Sequence, residues 1–342
     1  MYDQGSHIIV QTGFIGDIAL TFHLIEELRL AKPHDRIILL TTPTGAEIAQ
    51  AFPRLVNEVI VFDKRGKHRG LKGLKHIIET IREVRAGSII SLHQSFRTGL
   101  MIALSKIPIR IGYKTASLSF FLTDHYPYRF GVHEIERQRE LLRGLDPQKL
   151  PMKYIPRRSV LGRNAIHHSH AFQEPIIVIA PGSVWETKKW PAAYFTELIQ
   201  FLLNNTSHLI TLIGSSQDAA LCTSIIPSNH QGRVLNLAGT MSLQETISHL
   251  KQSILLIGND SAPIHLASLV NCPTIAIFGP THPAFGFSPS SDYSIIMQKD
   301  FECRPCSIHG QSSCPLGTHA CMKSITPKEI GDQVLKYLSH DA

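Results

Sequence analysis

Short runs of Val, Ile and Leu alternate along this chain with segments whose apolar residues recur every three or four positions. In the first half the pattern predicts strands at His7–Thr12, Arg36–Thr41, Glu58–Phe62 and Ser88–Leu92, with a short further strand at Arg110–Tyr113. Between them it predicts helices at Ile18–Leu30, Thr44–Ala51, Lys72–Arg85 and Thr98–Ser105, the first of them amphipathic. From about Asp146 to Glu174 the periodicity fails, and Pro, Arg and His gather around Pro151, Pro156-Arg157-Arg158 and His167-His168, which reads as a linker. The alternation then restarts through Ile176–Ala180, Ala192–Asn204, His208–Ile213, Gln217–Ile226, Val234–Leu237, Leu243–Lys251, Ile254–Ile257, Ala262–Val270 and Thr274–Phe278. A last helix, Pro327–Leu338, follows a Cys-rich segment.

Strands this uniformly aliphatic belong to parallel sheets covered by helices on both faces. The predicted class is therefore α/β, with doubly wound domains over residues 1–150 and 172–326 and a terminal helix over 327–342. At 342 residues the chain is long enough for two such cores. Two sheets joined by one linker are expected to bring their carboxyl-edge loops across a cleft, where ligands of open α/β sheets bind. Apolar runs such as Ile37–Leu40 and Ile254–Ile257 fall far short of the roughly 20 residues of a membrane-spanning helix. Met1–Val10 carries Asp3 and runs straight into a strand, unlike an export signal, so the expected compartment is the cytoplasm.

Three carboxyl-edge loops carry candidate chemistry. After the first strand comes Gly13-Phe14-Ile15-Gly16-Asp17, which lacks the dinucleotide fingerprint but permits a tight turn and a close ligand approach. Asp17 falls in the first helical turn, either as a cap or as a general base. Beside a helix N-terminus it would be a weak base, which suffices when the nucleophile needs only late deprotonation. The second loop is Pro181-Gly182-Ser183-Val184-Trp185-Glu186-Thr187-Lys188-Lys189-Trp190-Pro191. It offers a hydroxyl at Ser183 and an ammonium at Lys188, suited to a diphosphate, or else solvated surface lysines. The third, Gly258-Asn259-Asp260-Ser261-Ala262-Pro263-Ile264-His265, opens a helix with Ser261 as its predicted cap and first amides directed at a phosphate. His265 is either a ligand contact or an ordinary buried histidine. Phe278-Gly279-Pro280-Thr281 follows as a turn walling the same site.

Charge separates the halves: residues 1–170 hold 25 Lys or Arg against 15 Asp or Glu, while residues 171–342 hold 9 against 12. The run from Lys64 to Lys75 has six positive side chains and no acid. It is either a solvated face or a surface for phosphates, acidic sugars or a membrane. Lys64, Arg65, Arg69, Arg97, Arg110 and Lys114 are the candidate contacts for such an anion. Ser117–Leu122 is apolar and belongs to the core or touches lipid. Cys303, Cys306, Cys314 and Cys321 crowd together near the end, open to three readings: structural zinc, reduced thiols or disulfides.

In combination these loops resemble the ADP-heptose:lipopolysaccharide heptosyltransferases of glycosyltransferase family 9. The resemblance rests on Ile15-Gly16-Asp17, Pro181-Gly182-Ser183 with Lys188-Lys189-Trp190-Pro191, Leu237-Ala238-Gly239-Thr240-Met241-Ser242-Leu243, Asn259 to His265, Phe278-Gly279-Pro280-Thr281 and Ile325-Thr326-Pro327. It implies a GT-B arrangement of two facing Rossmann-like domains, the last helix packing back on the first, and an inverting displacement. By position, it implies Asp17 as base, with Lys188 and Ser183 on the donor phosphates. Gly16, Asp260, Ser261, Ala262 and His265 would line the donor pocket, with Met241 beside the adenine. The anion met by Lys64, Arg65, Arg69, Arg97, Arg110 and Lys114 would be the acceptor. Where relatives have an acidic residue after the fifth strand of this fold, Gly214-Ser215-Ser216-Gln217-Asp218 stands instead, and the ribose contact passes to Ser216.

The implied partners are ADP-heptose and an anionic lipopolysaccharide core, with peripheral contact to the inner-membrane surface and no nucleic acid. No Asp-x-Asp motif is present to hold a divalent ion, so no cofactor is expected for catalysis. Two other readings remain at this level. One is a GT-B enzyme using another sugar nucleotide; the other is a basic nucleic-acid-binding protein with a zinc module.

Overall fold

A strand with helices on both faces is buried on both, and β1 (Asp3–Gln11) is buried from Ser6 to Gln11 around the aliphatic run Ile8-Ile9-Val10. It is followed by α1 (Ile15–Ala31), β2 (Arg36–Thr41), α2 (Pro43–Gln50), β3 (Glu58–Val61), α3 (Gly70–Val84), β4 (Ala86–Ser91), α4 (Phe96–Leu104), β5 (Ile109–Tyr113), β6 (Asp124–Tyr126) and α5 (Glu134–Arg139). The computed structural model describes residues 2–145, 175–230 and 232–340. They fall into two compact units, with residues 2–145 in the first and the rest in the second. The predicted linker lies outside the described residues.

All strand pairs of the first sheet are parallel, in the order β3-β2-β1-β4-β5-β6. The second unit repeats the design with β7 (Ile176–Ala180), α6 (Ala192–Asn205), β8 (Leu209–Leu212), α7 (Ala219–Ser224), β9 (Val234–Asn236), α8 (Leu243–Gln252), β10 (Leu255–Asn259), α9 (Ala262–Leu269), β11 (Thr274–Ile277), β12 (Ser294–Met297), α10 (Ala320–Lys323) and α11 (Pro327–His340). Its sheet order is β12-β11-β10-β7-β8-β9, again all parallel. Each unit therefore has the doubly wound order 3-2-1-4-5-6, and the direction in which strands are added reverses between β1 and β4 or between β7 and β10. That reversal opens a crevice at the carboxyl edge of the sheet.

The helices follow their sequence patterns with one exception. Helix α3 buries Leu74, Ile77, Ile78 and Ile81, spaced as one face, and exposes Lys72 and Lys75. In α1, by contrast, Ile18 through Glu26 are all buried, including His23 and Glu26. The helix expected to be amphipathic is enclosed because α2 and α5 pack on it as well as the sheet. Strands β6 and β12 and helix α5 were not expected; all are short or lack an aliphatic run.

In the last helix, Ile330, Val334 and Tyr337 join the core of the second unit, where α11 packs on α6. Its apolar stripe is thus buried in its own unit. Among the described residues no helix is long and apolar enough to cross a membrane.

Candidate functional site

In the second unit the switch point is built around an acid between two partners. Asp260 directly follows β10 and is almost fully buried. Its Oδ2 accepts from Lys188 Nζ at 2.6 Å and from the Thr281 hydroxyl at 2.6 Å. Lys188 stands at the end of a single 3-10 turn, Glu186–Lys188, in the loop after β7. The neighbouring Asn259 fixes that loop from beneath. Its side chain donates to the Pro181 carbonyl (2.8 Å) and accepts from the Trp190 amide (3.1 Å). Trp190 is itself buried against Phe195 and donates its indole N–H to the Ile325 carbonyl at 2.9 Å. The loop that carries the lysine is therefore held by a core residue behind it.

Helix α9 begins immediately after Asp260. Ser261 occupies the predicted cap position, yet its hydroxyl makes no capping bond and donates instead to the Gly182 carbonyl at 3.3 Å. This ties the loops after β7 and β10 together and leaves the first amides of α9 without a side-chain cap. Such an end stabilises a phosphate through its amides and the helix dipole. Ser183 is half-buried on the same loop and accepts from the Trp185 amide. Ala262 and His265 follow on α9; His265 is buried and meets the ring of Phe287 edge-on at 6.4 Å.

The neighbouring loops close on the same edge. Asp218 caps its own turn through the Ser215 amide and hydroxyl, at 2.8 and 2.7 Å. A Cβ at Gly182 would collide with the Asp218 carboxylate, so only glycine lets the two loops meet. Gly239, at φ 76°, packs so tightly on Ser216 that a Cβ would lie 2.6 Å from its Cα. The exposed Ser216 and half-buried Met241 thus sit on adjoining loops after β8 and β9. Lys188, Asp260, Ser261 and Ser183 are brought together; Ser216 and Met241 form a second group beyond them.

The first unit's switch point is different. Asp17 lies in the first turn of α1, where its Oδ2 accepts from the Phe14 amide at 3.2 Å. Capping and base chemistry are compatible, because a carboxylate has a second oxygen. A Cβ at Gly13 would stand 3.0 Å from both Asp17 Oδ2 and Gln11 Oε1, a tight fit against two side-chain ends. Gly16 precedes Asp17 in the same turn. The negative charge of Asp17 reaches a cluster that the sequence did not disclose. Burial, then Glu134, pushes the Tyr128 phenol up to about 12, with Asp17 adding to it. Burial likewise raises the Glu134 carboxyl to about 7 despite its ion pair with the buried Arg137. Arg137 stacks over the Tyr128 ring at 4.1 Å.

The basic calls divide by what holds them. Lys64 Nζ donates to the Thr12 carbonyl at 2.7 Å, which places it at the end of β1. Burial depresses its pKa, with Arg65 and Arg97 adding to the effect. Arg65, Arg69 and Lys114 are exposed. Arg110 is a structural clamp: its guanidinium donates to the carbonyls of Ile107, Pro108 and Phe121. The loop that carries the basic run is ordered by Asp63, which accepts from the Gly66 and Lys67 amides and has a pKa depressed by them. Phe120 and Phe121, in the segment left between core and lipid contact, are exposed.

The zinc reading of the cysteines is not met. Among the described residues no group of three or more His, Cys, Asp or Glu is arranged to hold a metal, and Cys303, Cys306, Cys314 and Cys321 are all free thiols. Cys303 is exposed while Cys321 is buried, and the Cys306 thiol is turned to the Cys303 carbonyl. The same segment has another use, for Thr187 bonds Gln311 through both backbone and hydroxyl, and His319 bonds the Thr187 carbonyl at 2.7 Å. It buttresses the turn that carries Lys188.

Comparison with known proteins bears on both units. Residues 74–315 match the sequence profile of glycosyltransferase family 9 (heptosyltransferase). The chain is 28% identical to lipooligosaccharide heptosyltransferase 2 of Campylobacter jejuni over 335 residues, 96% of each chain. It is 22% identical to lipopolysaccharide heptosyltransferase 2 of Salmonella typhimurium over 293 residues, 81% of this chain and 84% of that one. Among solved structures, the ADP-heptose lps heptosyltransferase II of E. coli superposes with a TM-score of 0.77 at 21% identity, covering 98% of this chain and all of the other. The E. coli heptosyltransferase WaaC with ADP-2-deoxy-2-fluoro heptose gives 0.75 at 17% identity, covering 97% and 99%. The architecture is accordingly GT-B, and with the profile matched across most of its length the chain belongs to glycosyltransferase family 9, the heptosyltransferases.

Proposed function

We propose that this protein moves a heptose from ADP-heptose to the inner core of a lipopolysaccharide or lipooligosaccharide, with inversion at the anomeric carbon. The observation that carries the reading is the Lys188–Asp260 pair beside the uncapped end of α9. It offers an ammonium and backbone amides to a diphosphate at the place where doubly wound sheets bind ligands. The names of the relatives supply the sugar and the acceptor class, and the WaaC structure with a fluorinated ADP-heptose supports the donor.

Asp17 takes the proton of an acceptor hydroxyl as that oxygen bonds to the anomeric carbon. The bond from that carbon to the diphosphate breaks, and ADP leaves against Lys188 and the α9 amides. A single displacement from the opposite face inverts the centre. Charge on the leaving group is neutralised by fixed protein groups, so no metal is required. Ser183, Ala262 and His265 line the donor site, with Met241 and Ser216 toward the nucleoside. The reaction belongs on the cytoplasmic side of the membrane that carries the acceptor, with the basic first unit toward anionic lipid.

The test is incubation with ADP-heptose and a panel of truncated cores in excess chelator, followed by mass spectrometry and NMR of the product linkage. Addition of one heptose with inverted configuration is expected. Transfer only from another sugar nucleotide, a chelator-sensitive reaction or retained configuration would each overturn the corresponding part of the proposal.

A further inference from the structure

The crevice between β1 and β4 contains a histidine that the proposed chemistry leaves unused. His93 follows β4 by two residues and is half-buried. Its Nδ1 lies 2.8 Å from the Thr98 hydroxyl and 3.2 Å from the Thr12 hydroxyl, and a Ser95 hydroxyl stands 3.1 Å behind that of Thr98. Thr12 is the residue directly before the Gly13–Asp17 loop, and its carbonyl receives Lys64. One hydrogen-bonded chain therefore links Lys64, Thr12, His93 and Thr98 across the point where the sheet order reverses.

Either hydroxyl can donate to Nδ1, and when one does the ring proton sits on Nε2. We propose that His93 is an acceptor-binding residue whose Nε2–H, together with Lys64, holds an oxyanion of the acceptor, a sugar carboxylate or a phosphate. This deepens the proposed function and rests on it for the identity of the ligand. Burial and then Lys64 lower the His93 pKa to about 4, which keeps the ring neutral near pH 7. A neutral donor next to an ammonium suits an anion bound through directed hydrogen bonds, because the second group adds geometry without a second desolvated charge. The Lys64 and Arg97 candidates contribute charge here, whereas His93 contributes direction.

The experiment measures binding of the deacylated saccharide part of the acceptor in the absence of donor, so that its outcome does not depend on transfer. His93→Phe should weaken saccharide binding about tenfold or more, the worth of one hydrogen bond to a charged group, with ADP affinity unchanged. His93→Gln, which keeps a donor, should recover much of the loss. In wild-type protein, nitrogen-15 NMR of the imidazole should show Nε2 protonated and Nδ1 not. Thr98→Val, which removes the nearer hydroxyl without altering His93, should weaken both the tautomer preference and the binding. Saccharides lacking either the carboxylates or the phosphates identify the anion, since the His93→Phe penalty should vanish for only one of them. Equal saccharide affinity for wild type and His93→Phe, or a ring protonated at Nδ1, overturns the inference, even where heptose transfer itself is observed.

Discussion

The two units share one topology and place opposite chemistry at the same point of it. At the β7/β10 reversal an acid and a lysine are paired at 2.6 Å over a floor fixed by Asn259 and Trp190. At the β1/β4 reversal the groups are hydroxyls, an imidazole and a lysine bonded to a carbonyl, with Asp17 in the first turn of the adjoining helix. The strand order brings loops to an edge, and the residues in those loops decide what the edge binds. A charged, rigid site suits a diphosphate that must be held as it departs. A polar site with one carboxylate suits a hydroxyl that must lose a proton.

The sharpest way to break this division is at Asp17. Asp17→Asn should lower turnover by roughly 10²- to 10⁴-fold, the usual worth of a positioned general base. Steady-state kinetics at saturating donor check it, and near-normal turnover would remove Asp17 from the reaction. Lys188→Ala comes next. It should lower turnover and raise the donor KM together, about 10²-fold in kcat/KM, because the lost contact serves both donor and leaving group. A change confined to the acceptor KM would place the diphosphate elsewhere.

Part of this was legible in the sequence. The aliphatic runs of β1, β2, β4, β7 and β10, two to five residues long and bounded by turn residues, read as buried parallel strands because they are too short for helices and rich in Ile and Val. Lys188 and Asp260 could be singled out because each follows such a run before the next helix, and Asp17 because it opens the helix after one. The pairing of Lys188 with Asp260 was not legible, since neither the distance between residues 188 and 260 nor the Thr281 contact is written in local periodicity. The cluster of Tyr128, Glu134 and Arg137 was hidden because α5 is short and its buried face is charged. Arg110 misled for the reverse reason: a cation in a basic half looks available until the carbonyls around it are seen.

Smaller effects sharpen the contrast in rigidity. Trp190→Phe leaves the Ile325 carbonyl without its indole donor and should cost about 1–3 kcal/mol. Calorimetric melting checks it, and an unchanged Tm would mean that the floor beneath Lys188 is not held by this bond. Glu134 offers the mildest test, on the first unit. Its carboxyl is raised from 4.5 to about 7, so folding favours the protonated form. The stability this confers is present below about pH 4.5 and is lost as pH rises through about 7. Relative to Glu134→Gln, the wild type should therefore melt progressively lower as pH is raised over that interval. Parallel pH profiles for the two proteins would show that Glu134 keeps its ordinary affinity for protons.

The most direct measurement of the division of labour is calorimetric titration of ADP-heptose into wild type, Asp17→Asn and Lys188→Ala without acceptor. The account predicts that Asp17→Asn binds as wild type does and that Lys188→Ala binds at least tenfold more weakly. Weakened binding in Asp17→Asn with intact binding in Lys188→Ala would contradict it.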